Sequence, residues 1–157
     1  MRIALFQPDI PQNVGAAIRA AACFQSDVDV IQPCGFPLDA REIRRVAMDY
    51  GALAPPTPHD DWAGFLGSLR SSDRLILMTT HSATELWDHR FVESDVILFG
   101  RESEGAPDFV HKRADIRLRI PIDTRARSLN LATAAAVTLA EARRQTRRDN
   151  DRRNRQP

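Results

Sequence analysis

Arg119-Ile120-Pro121-Ile122-Asp123-Thr124-Arg125-Ala126-Arg127-Ser128-Leu129-Asn130-Leu131 is the stretch where an apolar strand hands over to a long alanine-rich helix. Ile116, Leu118 and Ile120 read as a short strand stopped by Pro121, whose nitrogen has no proton to donate. A polar turn carrying Arg125 and Arg127 follows, and Ser128 and Asn130 open the helix Leu129–Arg148. Backbone N–H groups at a helix start lack intrahelical partners, so side-chain oxygens and polar ligands gather there. Ser128 taken alone is equally an ordinary N-cap. Two similarly equipped junctions elsewhere in the chain give it a functional reading.

Outward from this stretch, short apolar runs alternate with helical ones. Strands are predicted at Arg2–Phe6, Val28–Gln32, Arg74–Thr79, Asp95–Phe99 and Ile116–Ile120. They are apolar with little alternation, as expected of strands covered on both faces. Helices are predicted at Gln12–Phe24, Asp39–Met48, Asp60–Leu69, Ala106–Lys112 and Leu129–Arg148, with Pro55–Pro58 as a rigid loop. The alternation implies an α/β layered fold with a mainly parallel sheet. Residues 1–148 read as one domain and 149–157 as a basic, disordered tail.

At 157 residues, 43% apolar and 27% charged, the chain has enough length to bury a core. No apolar run approaches the length of a membrane span, and the start of the chain reads as a strand, not a signal peptide. Cys23 and Cys34 are too few for a disulfide framework, and the four histidines are scattered. A reduced, cytoplasmic protein without metal is the expectation. The formal net charge of +1 conceals an asymmetry: from Arg143 onward, seven arginines face two aspartates. Lys112 is the only lysine, and arginine's planar fork suits phosphate and stacks on bases. A solvated helix end is the plain alternative for such a tail.

Open parallel sheets collect ligands beyond the C-terminal ends of their strands. After the first strand come Asn13 and then Arg19; after the fourth, Gly100-Arg101-Glu102-Ser103-Glu104-Gly105; after the fifth, the Ser128–Asn130 junction. Six residues separate Asn13 from Arg19, so the two share no helix face; they meet one ligand if Asn13 stays in the loop. Neither the dinucleotide G-x-G-x-x-G nor a P-loop lysine is present. Gly100 and Gly105 permit a tight turn and let a ligand lie against backbone.

Together, Pro8-Asp9-Ile10-Pro11-Gln12-Asn13-Val14-Gly15 with Arg19, Leu98–Gly105 and Arg119–Leu131 resemble the signature motifs of the SPOUT superfamily of RNA methyltransferases, nearly end to end. Gly35-Phe36, Arg44-Arg45 and Asp49-Tyr50 resemble one branch, the small single-domain enzymes that methylate the ribose 2′-OH of tRNA wobble nucleotide 34. The resemblance implies a single-domain fold with a parallel sheet flanked by helices and a C-terminal trefoil knot, a feature that general topology argues against. It further implies a homodimer, no metal, and S-adenosylmethionine held at Met78, Gly100, Glu102, Gly105, Ile120 and Ser128. Glu104 stands where the family commonly has arginine and Arg101 where it has proline. His81 replaces a lysine, and Ala140 and Arg143 replace a tyrosine and a tryptophan, positions that bear on RNA contacts.

In the implied mechanism, Arg19 of one subunit serves the other's cofactor. It fixes a phosphate and polarises the ribose hydroxyl, because an always-protonated guanidinium is no base. Asn13 and Asn130 join it at the reacting end, while Glu102 orders its loop. The tRNA anticodon stem-loop is expected on Arg41, Arg44 and Arg45, helped by the arginines of the tail. The rival readings are methylation of another RNA, such as ribosomal RNA, and a catalytically silent RNA-binding protein.

Overall fold

The structure is a computed structural model. It describes residues 1–153, and of residues 40, 42–44 and 148–153 the backbone alone. Its elements run β1 Arg2–Phe6, α1 Pro11–Cys23, β2 Asp27–Ile31, α2 Ala40–Ala47, α3 Tyr50–Leu53, β3 Thr57–His59, α4 Trp62–Gly67, β4 Arg74–Met78, β5 Asp95–Phe99, α5 Asp108–Arg113, β6 Ile116–Leu118 and α6 Leu131–Arg153. The six strands form one sheet in the order β3-β2-β1-β5-β4-β6, every pairing parallel.

Alternate side chains of the central strands β1, β2, β4 and β5 enter different cores, which explains why these strands are apolar on both faces. Ile3 and Leu5 of β1 join Val28, Val30, Ile76 and Ile97 beneath α1 and α6, whereas Ala4 and Phe6 join Leu75, Leu77, Val96 and Leu98 beneath Phe65 of α4 and Val110 of α5. Each such fully buried Leu, Ile or Phe stabilises the fold by about 1.5–3 kcal/mol. Helix α1 starts on Pro11, whose missing N–H costs nothing at a helix start. Its Ala17 and Ala21 are fully buried in the cluster that also holds Ala135 and Leu139 of α6. Much of the alanine run is thus used within the chain's own core, although Ala16 stays exposed. Among the described residues, no helix is long and apolar enough to cross a membrane.

Several boundaries differ from the sequence reading. The proline cluster contains β3, which pairs only with β2 through Asp29↔Thr57, Val30↔Pro58 and Ile31↔His59. Proline is tolerated there because an edge strand leaves one row of backbone groups unpaired. Helix α2 ends at Ala47, and a left-handed Met48 (φ 53°) separates it from α3. Strand β6 ends at Leu118, so Ile120 belongs to the crossing segment beyond it. Helix α6 begins at Leu131, two residues later than expected, and runs past Arg148 to Arg153; residues 154–157 of the expected tail lie outside the described residues.

Candidate active site

Strand β1 sits at mid-sheet between β2 and β5. The chain leaves it toward β2 on one side, while β5, β4 and β6 lie on the other. Such a reversal opens a crevice at the C-terminal strand ends. Here it brings the loop after β1 beside the loop after β5. Asp9 Oδ1 accepts hydrogen bonds from Arg101 Nη2 at 2.8 Å and Nε at 3.3 Å, and Oδ2 accepts from the Ser103 amide at 3.0 Å and its hydroxyl at 2.6 Å. The Asp9 amide donates in return to Glu102 Oε2 at 2.8 Å.

The other oxygen of Glu102 accepts from Asn13 Nδ2 at 2.9 Å, and Asn13 Oδ1 accepts from Asn130 Nδ2 at 2.8 Å. Asn130 Oδ1 then caps α6, accepting from the amides of Ala132 at 2.9 Å and Thr133 at 3.2 Å. Glu102, Asn13 and Asn130 therefore form a polar relay through all three junctions. Asn13 takes part from the first turn of α1, within the helix predicted from Gln12 onward, so the relay does not need it to stay in the loop. The cap is Asn130, which leaves Ser128 exposed in the cleft.

The cleft bounded by these junctions has a volume of about 680 Å³. It is lined by every position expected to hold the cofactor, Met78, Gly100, Glu102, Gly105, Ile120 and Ser128, together with Asn13 and Asn130. Met78 and Ile120 are half-buried apolar walls at the ends of β4 and β6. Gly100 faces its own loop so closely that a Cβ would lie 2.5 Å from the Ala106 nitrogen and the Gly105 carbonyl carbon. Gly105 takes φ +71°, the left-handed region that glycine enters without steric cost. The pinch between them is a pair of backbone hydrogen bonds, Arg101 N–H to Gly105 O at 3.0 Å and Gly105 N–H to Arg101 O at 2.9 Å.

The hydrogen bond from Ser103 and then the Arg101 guanidinium hold the Asp9 carboxyl below the usual range. Burial, reinforced by the charge of Glu102, pushes the Cys34 thiol up to about 11. It stays protonated at neutral pH and is no nucleophile. Among the described residues, no group of three or more His, Cys, Asp or Glu is placed to hold a metal ion.

Arg19 is not among the residues lining the cleft. It is exposed on α1, and its guanidinium carbon lies 5.4 Å from the centroid of the Tyr50 ring. The distance is within cation–π range. Arg41 and Arg45, one turn apart on α2, are exposed; the side chain of Arg44 lies outside the described residues. Arg143 is turned inward, its Nε donating to Phe24 O at 2.6 Å and its Nη1 paired with Glu93 at 3.2 Å. Arg125 pairs with Asp123 at 2.7 Å. Asp9 and Ser103 went unrecognised as site elements because their pairing spans 94 residues, which no local spacing encodes.

The chain resembles known proteins over most of its length. Residues 1–140 match the SpoU rRNA Methylase family. A tRNA (cytidine(34)-2'-O)-methyltransferase of Ancylobacter novellus is 44% identical over 147 residues, 93% of each chain. One from Beijerinckia indica is 42% identical over 91% of this chain and 90% of its own. A solved structure described as "Structural insights into the 2-OH methylation of C/U34 on tRNA" superposes with a TM-score of 0.86 at 38% identity, covering 92% of this chain and 94% of the other. An AdoMet-bound rRNA methyltransferase from Sinorhizobium meliloti gives a TM-score of 0.80 at 25% identity over 91% of this chain and 55% of its own. With three separate loops converging on one cleft and a match that reaches into α6, the chain belongs to the SpoU rRNA methylase family.

Proposed function

We propose that this protein is a cytoplasmic S-adenosylmethionine-dependent methyltransferase that 2′-O-methylates the ribose of tRNA nucleotide 34, cytidine or 5-substituted uridine. The observation that carries this reading is the match with position-34 methyltransferases over nearly the whole of both chains. All three junctions that build the cleft fall within residues 1–140, the span that matches the family. The residues present fit the cofactor. The volume of about 680 Å³ is in the range of small-molecule sites. Met78 and Ile120 suit a flat adenine, and the bare backbone of Gly100–Gly105 lets a ribose approach. Asn130 and Ser128 offer hydrogen bonds to the ribose or the cofactor's carboxylate.

When bound, S-adenosylmethionine supplies an electrophilic methyl group on a positively charged sulfur. The chain's own task is to bring the 2′-hydroxyl into line with that methyl and to let its proton leave. Arg19 remains protonated, so it clamps the neighbouring phosphate and polarises the hydroxyl, while a phosphate oxygen or water takes the proton. Its position outside its own cleft fits a homodimer in which it serves the partner's cleft. The same reading includes the C-terminal trefoil knot, and docking of the anticodon stem-loop on Arg41, Arg44, Arg45 and the tail arginines.

The test is to incubate the protein with labelled S-adenosylmethionine and total tRNA, then map the methylated nucleotide. Label at the ribose of nucleotide 34 is the expected result; unlabelled tRNA, with label entering ribosomal RNA in a parallel incubation, would assign the activity to the other substrate. Sedimentation at micromolar concentration should give a dimer, and a fully active monomer would exclude the shared site.

A further inference from the structure

We propose that Asp9 is a positioning residue that clasps the 100–105 loop and so shapes the methyl-donor cleft before anything binds; this rests on the reading of the cleft given above. Asp9 lies outside the cleft lining, as does Ser103, whereas Gly100, Arg101, Glu102 and Gly105 form part of its wall. Asp9 therefore acts through the loop.

Its contacts are unusually complete. One residue binds three consecutive loop residues: Arg101 through Oδ1, Ser103 through Oδ2, and Glu102 through its own amide. Within the loop, the backbone pinch joins only Arg101 to Gly105. Residues 102–104 have no ladder of their own, so their course depends on this external anchor. The anchor is itself fixed. Pro8 O accepts from the Gly35 amide at 2.9 Å, and Gly35 packs so tightly that a Cβ would come within 2.9 Å of Asp9 O. Sheet order supplies the reason the clasp exists, since β1 and β5 are direct neighbours and their loops emerge side by side. Both oxygens of the carboxylate are engaged with donors, one of them charged, and such charge-assisted hydrogen bonds are the stronger kind. The lowered proton affinity of Asp9 accords with this geometry.

The clasp also orients Glu102. With Oε2 held by the Asp9 amide, Oε1 is left directed at Asn13, and the relay to Asn130 follows. Loss of the Asp9 carboxylate should thus loosen the wall of the cleft without removing any group that touches the reacting atoms.

The experiment compares the wild type with Asp9→Ala, Asp9→Asn and Arg101→Ala, using S-adenosylhomocysteine as the calorimetric probe and hydrogen exchange of the ligand-free protein. Asp9→Ala should weaken binding about tenfold or more, the scale of lost hydrogen bonds to a charged group. The maximal rate at saturating donor should change little, giving a KM effect with kcat retained. Asp9→Asn, which keeps an acceptor for Ser103, should recover part of the affinity. Arg101→Ala, at a half-exposed position, should show a smaller loss and little further effect in the Asp9→Ala background. Without any ligand, the Ser103 amide should exchange faster in Asp9→Ala while the strands stay protected. Wild-type affinity and unchanged exchange in a folded Asp9→Ala protein would overturn the proposal. If the wild type bound the probe yet left nucleotide 34 unmethylated, the functional reading would fail while the clasp would still be judged by binding and exchange.

Discussion

At the scale of single residues, the division of labour is between side chains that touch a ligand and those that hold them. Arg19 is exposed and lies over the Tyr50 ring, a cation–π contact that contributes about 0.5–1 kcal/mol at such a site. Arg19→Ala should therefore leave folding and cofactor affinity near wild type while methyl transfer to tRNA collapses; near-normal turnover would refute its role at the acceptor. His89 gives a different prediction. Burial outweighs the pull of Asp95, whose carboxylate is 4.0 Å away, and holds the His89 ring below its ordinary value. The unfolded ring takes up a proton near its usual pKa of about 6.5, where the folded ring still resists. Its contribution to stability is complete above that pH, falls as pH drops through the window below it, and levels off beneath the folded value. His89→Phe, which keeps an aromatic ring against Phe91, should lose less stability than wild type between pH 7 and pH 5 in urea titrations. Equal losses would contradict this assignment. The candidate residues Met78, Gly100, Glu102, Ile120 and Ser128 were legible in the sequence because motif and strand end coincide. Asp9 was not, for its partners are fixed only by sheet order. Asn130 rather than Ser128 caps α6 because its amide bonds both the helix start and Asn13.

At the scale of elements, close approach decides. Helix α1 lies against α2 with no room for a methyl group at Gly15, where a Cβ would stand 2.3 Å from Val46 O. The obstacle is backbone, so it cannot rotate aside. Gly15→Ala gains helix propensity but overpacks this contact, and a net loss of about 1–3 kcal/mol is expected by thermal or denaturant unfolding. An unchanged or higher Tm would show that the two helices can separate freely. Periodicity made the principal helices and central strands legible, since they carry uninterrupted apolar runs. It missed β3 because Thr57-Pro58-His59 has the composition of a loop, and only pairing with β2 makes it a strand. Met48 similarly hid the break between α2 and α3, because a left-handed residue that is not glycine leaves no mark in the sequence.

At the scale of the whole molecule, charge is uneven, with the arginines of the C-terminal segment set against a net acidic remainder. Deleting residues 149–157 should weaken tRNA binding modestly and flatten its salt dependence, since fewer phosphates are neutralised. Affinity for the methyl donor should not change, because the cleft is built upstream of this segment; a parallel loss of donor affinity would argue against that separation. The parallel layered architecture was legible from the alternation of elements, and the three loops were singled out together by their motifs, but the side-chain relay that joins them was not, because it follows from strand order. That convergence also sets a schedule. All six strands lie before residue 119, whereas the relay waits for Asn130, which meets Asn13 across 117 residues. Synthesis proceeds from the N-terminus, and a nascent chain gains its structure in that order. A product released by a stalled ribosome before Asn130 would carry the residues of all six described strands but would lack Asn130, Leu131 and Ala134, which line one side of the cleft. Such a product should therefore compete poorly with the finished protein for the methyl donor.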